Sequence, residues 1–326
     1  MIKLTALVSL LTFSTLSSAI ELDSYIINGS EVSASEFPDT ASLFVDGQLI
    51  CGATIIDEYH ILTAAHCVAK LNGSVNPLNY DVVSQLERVS DYPYSVQDIV
   101  KVSDIYIHSE FKNTSGSLWQ NDIAILKLNN AIYTQSTAQL AEDESYRLDS
   151  SSFTSVGHGQ TENSETYSDE LLETALSYIS HEQCQSELGG AGSSLTDKQL
   201  CTGGMINEET NLRNSTCLGD SGGPLYWFDG TQNVQVGIVS FGPDTCGSPQ
   251  TELSAVYTEI ADYQGWIKSV LSGDIQGEKI EGTSEIESHE ESDLSTQSSG
   301  GGLSIFGVFL LGLLRMKRVI KNEAER

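Results

Sequence analysis

The sequence has few basic side chains, since 16 Lys and Arg stand against 45 Asp and Glu and the formal net charge is −29. Nucleic-acid phosphates bind to basic surfaces, and a charge of this sign and size repels them, so we expect no nucleic-acid partner. The chain nevertheless has 326 residues of which 39% are hydrophobic, which is enough for a buried core and argues against wholesale disorder. This length allows one large domain or two small ones.

Three kinds of functional motif are also missing. The sequence has no glycine-rich phosphate loop, no short-period repeat and no cluster of histidine and carboxylate side chains at metal-ligand spacing. We therefore expect neither a metal nor an organic cofactor. Only six cysteines are present, an even number that predicts disulfides in an exported chain and metal or redox chemistry in a cytosolic one.

The N-terminal segment decides between these two roles of the cysteines. Lys3 precedes an apolar run from Leu4 to Leu11, and small residues end the segment at Ala19. This order is typical of a secretory signal peptide, which we predict over residues 1–19, with a buried N-terminal helix as the alternative. The chain is therefore expected to be exported, with its cysteines paired.

The C-terminal part of the chain changes composition twice. Residues 273–299 are acidic and poor in large apolar side chains, which predicts a flexible spacer because such a segment cannot offset its ordering entropy. Residues 300–326 begin with three consecutive glycines, followed by an apolar run over 303–314 and a basic cluster. This run is shorter than the roughly 20 residues of a spanning helix, although basic residues after it fit a cytoplasmic C-terminus.

This glycine–apolar–basic tail resembles the GlyGly-CTERM sorting signals of exported Gram-negative bacterial proteins. The resemblance implies transient inner-membrane association through residues 303–314 and removal of the tail by an intramembrane protease of the rhomboid type. It also implies delivery to the outer surface of a Gram-negative bacterium or to the medium. A permanent short membrane anchor is the alternative.

The middle of the chain has the pattern of an antiparallel β protein. Apolar, β-branched runs are separated by Gly, Asn, Asp and Ser, as at 53–56, 98–107, 123–128 and 234–241. Such close spacing disfavours alternating β–α–β units. The polar stretch 134–152 is predicted to connect two halves of comparable size. A helix is predicted over 260–271, where Trp266, Ile267 and Val270 can share one face.

Three segments contain the residue types of nucleophilic catalysis. They are Leu-Thr-Ala-Ala-His-Cys at 62–67, Asn-Asp-Ile-Ala-Ile-Leu at 121–126 and Cys-Leu-Gly-Asp-Ser-Gly-Gly-Pro-Leu at 217–225. A serine hydroxyl needs a neighbouring base, an imidazole suits that task near neutral pH, and a carboxylate fixes the imidazole's tautomer. His66, Asp122 and Ser221 supply these three groups.

In their order and spacing, these segments resemble the chymotrypsin/trypsin family of serine endopeptidases, from Ile26 to about residue 270. The resemblance implies an all-β peptidase domain over 26–272, made of two packed six-stranded antiparallel β-barrels with a short C-terminal helix. His66 and Asp122 would come from the first barrel and Ser221 from the second. The N–H groups of Gly219 and Ser221 would form the oxyanion hole during hydrolysis of a protein or peptide substrate.

Two other functions fit parts of this pattern. Residues 219–223 also match Gly-x-Ser-x-Gly, the nucleophile elbow of α/β-hydrolases, but those enzymes place their histidine after the serine. Here the histidine after Ser221 is His289, in the acidic spacer, so the chain order rejects that alternative. A pseudoprotease that binds a partner through the same cleft is the second alternative, which labelling of Ser221 by a fluorophosphonate would distinguish.

The resemblance also implies a cysteine pairing and an activation step. The implied disulfides are Cys51–Cys67, Cys184–Cys201 and Cys217–Cys246. Residues 26–29 resemble the N-terminus that zymogens of the family expose on cleavage, so residues 20–25 would be a propeptide. The freed amine of Ile26 would then pair with Asp220, whose lone buried charge is otherwise costly, and order the oxyanion loop.

The side-chain preference depends on the expected substrate pocket. Ser215 stands six residues before Ser221, at the family's pocket-floor position, where trypsin-like enzymes have an aspartate. The expected walls are Ser240, Phe241 and Gly242, with Ala255 limiting the depth. A neutral floor predicts cleavage after apolar or aromatic side chains.

Two histidines, His60 and His158, stand where the family often has tryptophan. We expect both to be structural, with His158 near the surface of the second half. His108 and His181 have no partner that the sequence identifies, and none of the four is assigned to a metal.

Overall fold

The structure is a computed structural model that describes residues 26–161 and 167–280. The predicted signal peptide, propeptide and sorting tail lie outside the described residues. Within the described ranges the chain forms fourteen strands and two α-helices. The strands are β1 Ser30–Glu31, β2 Thr40–Val45, β3 Gln48–Asp57, β4 His60–Thr63, β5 Tyr80–Ser84, β6 Val100–Ile107, β7 Ala124–Leu128, β8 Ser152–Gly157, β9 Leu172–Ile179, β10 Gln199–Gly203, β11 Pro224–Phe228, β12 Asn233–Phe241, β13 Leu253–Glu259 and β14 Glu278–Lys279. The helices are α1 His181–Glu187 and α2 Gln264–Leu271.

The strands form two closed antiparallel barrels of six strands each. The first runs in the order β6-β5-β2-β3-β4-β7, and a pairing between β6 and β7 closes it. The second runs β9-β10-β13-β12-β11-β8, closed by a pairing between β8 and β9. The predicted two-barrel fold is confirmed.

The connections between the elements also follow the sequence pattern. No strand occupies residues 134–151 of the connector predicted over 134–152, and its last residue, Ser152, begins β8. The last helix, α2, follows a 3-10 turn at Ile260–Tyr263 and buries Ile267 and Val270, as the apolar spacing predicts. Helix α1 has no equivalent among the predicted elements. It begins after Ser180, whose side chain accepts a hydrogen bond from the backbone N–H of Gln183 and so caps the first turn.

The apolar core extends through both barrels and across their interface. Representative buried side chains are Leu43, Ile55 and Val82 in the first barrel and Phe153, Val236 and Tyr257 in the second. A third cluster joins the two barrels through Leu62, Ile123 and Ile238. Since Leu62 and Ile123 lie next to the motifs of the candidate site, the rigidity of those motifs comes from the interface core.

Each barrel carries one extra short strand from a distant part of the chain. The N-terminal strand β1 pairs with β9 of the second barrel, and the C-terminal strand β14 pairs with β6 of the first. Ile280 is buried in the first barrel's core, and Ile275 packs against the interface cluster. The start of the predicted acidic spacer therefore packs on the protein, whereas a flexible segment was expected from residue 273 onward. The reason is that these two isoleucines bury apolar surface, although the segment as a whole is acidic and polar.

Among the described residues, none of the helices is long and apolar enough to cross a bilayer. The apolar run predicted at 303–314 lies outside the described residues.

Replacing Ile280 tests this C-terminal attachment. Ile280→Ala is expected to lower the free energy of unfolding by about 2–5 kcal/mol, because it leaves a cavity in the first barrel. Lys279→Ala, on the same strand but exposed, serves as the control and should change stability by less than about 0.5 kcal/mol. Urea denaturation of the full chain measures both. Equal stabilities of the two variants would contradict the attachment.

Candidate active site

The first barrel brings His66 and Asp122 together through two neighbouring strands. His66 lies in the 3-10 turn Ala65–Cys67 that follows β4, and Asp122 lies two residues before β7. Strands β4 and β7 pair in antiparallel register, with Thr63 opposite Ala124. The end of one strand therefore meets the beginning of the other, and the two side chains face each other across this edge.

The carboxylate of Asp122 is fully buried and accepts three hydrogen bonds. His66 donates from its backbone N–H to Oδ1 at 2.9 Å, and its Nδ1 lies 2.7 Å from Oδ2. The hydroxyl of Ser240, from the second barrel, donates to Oδ2 at 2.6 Å. A carboxylate next to Nδ1 favours the tautomer with the proton on Nδ1, which leaves Nε2 free to accept a proton.

The surroundings of His66 determine its pKa. Burial by itself lowers the pKa of the imidazole, but the charge of Asp122 and its hydrogen bond together outweigh burial and raise the pKa above its ordinary value. The side chain of His66 keeps 22% of its surface exposed. His66 can thus take up a proton at near-neutral pH and remain accessible to a ligand.

The loop that carries Ser221 is docked onto the first barrel through glycines. The backbone N–H of Gly52 donates to the carbonyl of Ser221 at 2.8 Å. Gly222 has φ +78°, and a Cβ placed on it would lie 2.2 Å from Oγ1 of Thr63, three residues before His66. Only glycine fits this approach. Within the described part of the chain, the Ser221 hydroxyl makes no hydrogen bond, a common finding for a nucleophile without substrate.

The carboxylate of Asp220 is the second buried acid at the site. It accepts hydrogen bonds from the backbone N–H groups of Gly159 at 2.8 Å and Cys217 at 2.9 Å. Burial raises its pKa to about 7, against the lowering effect of these two bonds. No cationic side chain among residues 26–161 and 167–280 forms an ion pair with it. Ile26 is also fully buried. In the uncut chain Tyr25 precedes it, so its nitrogen is a peptide N–H and not a charged amine.

Two glycines missed by the sequence analysis make room for this carboxylate. A Cβ on Gly157 or Gly159 would lie 2.3 or 2.2 Å from an oxygen of Asp220. The sequence Gly-His-Gly at 157–159 was the signal that could have identified them. His158, between them, is 3% exposed, and its Nε2 lies 3.1 Å from the carbonyl of Leu86. The expectation that His158 lies near the surface is wrong, because its neighbours' Cα atoms face Asp220 and its own side chain therefore points the other way, into the protein.

The expected pocket residues divide into two groups. Ser215 is fully buried, and its hydroxyl lies 2.7 Å from the carbonyl of Thr216 and 3.0 Å from that of Ser254. Gly242 faces β13, since a Cβ on it would lie 3.1 Å from the carbonyl oxygen of Ser254. Ala255 packs among the core residues of the second barrel.

Ser240, which is predicted to belong to the pocket wall, contacts the buried acid of the site through its side chain. Its hydroxyl points to Asp122 because β12 alternates its side chains, and this face of the strand meets the first barrel. The ring of the next residue, Phe241, instead lies 5.4 Å from the ring of Trp119. Trp119, three residues before Asp122, was not predicted as a site residue. An aromatic side chain so close to the carboxylate motif was the available signal.

Three disulfides brace the loops of the site. They join Cys51 to Cys67, Cys184 to Cys201 and Cys217 to Cys246, which is the pairing implied by the family resemblance. The first holds the His66 turn against β3, and the third holds the Ser221 loop to the segment after β12. Each disulfide closes a loop in the unfolded chain and lowers its entropy, which should raise the free energy of unfolding by about 3 kcal/mol.

Two groupings of potential metal ligands occur among the described residues. Cys51, His66 and Cys67 lie close together, but both sulfurs are consumed in a disulfide. Glu144, Glu259 and Asp262 form the other, in which the buried Glu259 is held by Arg147.

Comparisons with known proteins agree with this geometry. A family model described as Trypsin matches residues 26–267. The chain is 30% identical to CLIP domain-containing serine protease B4 of Anopheles gambiae over 266 residues, covering 76% of this chain and 71% of that protein. It is 29% identical to Trypsin delta of Drosophila erecta over 249 residues, with 76% and 88% covered. The solved structure of neuropsin, a serine protease expressed in the limbic system of mouse brain, matches with a TM-score of 0.62 and 27% identity, covering 76% of this chain and all of that one.

The contact between His66 and Asp122 predicts a particular pH dependence. Because Asp122 raises the pKa of His66, the rate at which a fluorophosphonate labels Ser221 should rise with pH as His66 loses its proton. In Asp122→Asn, the pKa should fall, so the rise should occur at lower pH, while the plateau rate falls by about 10⁴-fold because the tautomer is wrong. The labelling rate of chains that begin at Ile26 measures both effects. A rise at the same pH in both proteins would contradict this contact.

Proposed function

The chain belongs to the trypsin family of serine proteases, and we propose that it is an exported endopeptidase that cleaves after apolar or aromatic residues with His66, Asp122 and Ser221 as its triad. The observation that carries this proposal is the fully buried carboxylate of Asp122, bound to both His66 and Ser240. A buried charge with this many donors serves to orient the imidazole, and an imidazole so oriented serves to activate a nucleophile.

The proposed reaction proceeds through an acyl-enzyme. The Ser221 oxygen attacks the substrate carbonyl while Nε2 of His66 accepts its proton, and Asp122 stabilises the resulting imidazolium. The N–H groups of Gly219 and Ser221 stabilise the oxyanion, at about 3–4 kcal/mol for each donor in related chemistry. His66 then gives the proton to the leaving amine. It next takes a proton from water, which attacks the ester carbon, and it returns this proton to the Ser221 oxygen as the acid product leaves.

The proposed preference for apolar or aromatic side chains rests on Ser215. Its hydroxyl is buried and already directed at backbone carbonyls, so the floor offers no negative charge to a lysine or arginine. Placing an unpaired cation there would cost several kcal/mol, whereas an apolar side chain carries no such penalty. The ring contact between Trp119 and Phe241 adds an aromatic surface at the end of β12.

The function is tested by hydrolysis of peptides that differ in the residue before the cut. We expect kcat/KM for a phenylalanine or leucine substrate to exceed that for an arginine substrate by at least about 100-fold, equivalent to roughly 3 kcal/mol. Ser221→Ala should abolish hydrolysis and fluorophosphonate labelling. A correctly processed protein that neither hydrolyses peptides nor reacts with the probe would support a pseudoprotease that only binds. A preference for arginine would refute the proposed pocket.

Activation is proposed to depend on the carboxylate of Asp220. With a pKa of about 7 and only backbone donors, this group is partly protonated at neutral pH. A free amine at Ile26 would supply the missing positive charge, stabilise the ionised form and order the loop that contains Gly219. The chain would therefore be a zymogen until it is cut between Tyr25 and Ile26.

The two ends of the chain are proposed to direct its export and its attachment. The three disulfides are typical of a protein that folds in an oxidising compartment, which supports export. The sorting tail, the rhomboid-type protease and the location on a Gram-negative surface rest on the composition of residues 300–326. Those residues lie outside the described part of the chain, and a permanent anchor is the alternative.

Processing at both ends can be read by mass spectrometry of the mature protein. We expect an N-terminus at Ile26 and a C-terminus before Leu303, and an intact tail on the surface form would contradict the sorting signal.

Seeding purified zymogen with active enzyme should shorten its activation lag, since Tyr25 suits a neutral pocket. Tyr25→Arg should stop this response and make the zymogen activatable by trypsin. Equal self-activation of Tyr25→Arg and the parent would refute self-activation.

A further inference from the structure

A short antiparallel bridge lies beside the loop that carries Gly219. Gln160 pairs with Tyr167 in this bridge. The backbone N–H of Gln160 donates to the carbonyl of Leu218 at 2.6 Å. That carbonyl belongs to the same peptide unit as the N–H of Gly219. Because a trans peptide is planar and its C=O and N–H point in opposite directions, a bond that fixes the carbonyl also fixes the direction of the N–H.

The ring of Tyr167 packs directly against Gly219. A Cβ placed on Gly219 would lie 2.7 Å from Cδ1 and 2.8 Å from Cε1 of Tyr167. The same Cβ would also lie 3.1 Å from the Cα of Gly159. Gly219 is thus enclosed between an aromatic ring and a backbone segment, while the ring itself remains 42% exposed.

Gly219 needs such external support because its own conformation provides little. Its φ is +102°, a region open to glycine, and glycine has the largest conformational freedom of any residue. The neighbouring Leu218 side chain is 64% exposed and contributes little packing. Rotation of the peptide between Leu218 and Gly219 would break the hydrogen bond from Gln160.

We propose that Tyr167 is a positioning residue for the oxyanion hole. Its ring holds Gly219 so that the N–H of this residue stays directed at the substrate's developing oxyanion, and the bond from Gln160 holds the other side of the same peptide. This inference rests on the proposed function, in which Gly219 is an oxyanion donor. The ring carbons Cδ1 and Cε1 make the contact, so the phenol hydroxyl is not required.

Removing the ring should affect the transition state more than substrate binding. Loss of one oxyanion donor typically lowers kcat by about 10²–10³-fold. A donor that is present but misdirected part of the time should cost less, and we expect Tyr167→Ala to lower kcat about 10–100-fold with KM changed less than about 2-fold. Tyr167→Phe keeps the ring and should retain the parental kcat. Tyr94→Ala removes a tyrosine that is 94% exposed and serves as the matched control.

Inhibitor binding separates this role from a general loss of structure. A peptide aldehyde places an oxyanion in the hole, whereas indole fills an apolar pocket without reaching it. For Tyr167→Ala, the Ki of the aldehyde should rise in proportion to the loss of kcat/KM, and the Ki of indole should stay unchanged. Active-site titration to its end point corrects the rates for any unfolded fraction.

Two results would overturn the proposal. One is an unchanged kcat and aldehyde Ki in Tyr167→Ala. The other is an increase in KM alone, which would mean that the exposed edge of the ring binds the substrate. A parent protein that hydrolyses no peptide would refute the proposed function itself, and that outcome is distinct because it precedes any comparison of variants.

Discussion

The buried carboxylate of Asp122 is the contact on which the arrangement of the two barrels around the site depends. A buried charge is stable only when its lone pairs are satisfied, and here the donors come from both barrels. His66 of the first barrel supplies two of them, and Ser240 of the second supplies the third. The hydroxyl of Thr258, also from the second barrel, donates to the carbonyl of Asp122 at 2.8 Å. Separating the barrels would remove the hydrogen bonds from Ser240 and Thr258, so the residue that orients the imidazole also links the two barrels.

Asp220 shows how the same chemical group behaves when its partners differ. Like Asp122 it is buried, but its two donors are backbone N–H groups held by the chain around Gly159 and Cys217. With no imidazole or hydroxyl donor, burial raises its pKa to about 7. Asp122 belongs to a network that is complete in the described chain, whereas Asp220 can gain substantially from one added positive charge. This difference is the reason for proposing that Asp220 takes part in activation while Asp122 stays paired throughout.

Much of the fold could be predicted because it follows from local patterns. Close-spaced β-branched runs predicted an antiparallel β protein, whose two barrels the family resemblance implied, and the spacing of Ile267 and Val270 predicted helix α2. The predictions failed where a side chain's direction depends on distant strands. The bond between Ser240 and Asp122, which the sequence did not predict, depends on how β12 meets the first barrel. His158 is buried because its flanking glycines face Asp220. The segment around Ile280 packs because β6 presents an edge to it.

The sequence by itself determined which chemical groups are present and in what order along the chain. That order identified His66, Asp122 and Ser221, rejected the α/β-hydrolase alternative and, through the family resemblance, implied the cysteine pairing. Only the tertiary structure decided which groups share a contact. Tyr167 and Gly219 are 52 residues apart, and no periodicity links them. Their packing, and the hydrogen bond from Gln160 that accompanies it, exist because β8 pairs with β11 in antiparallel register, which brings the loop after β8 beside the loop that precedes β11.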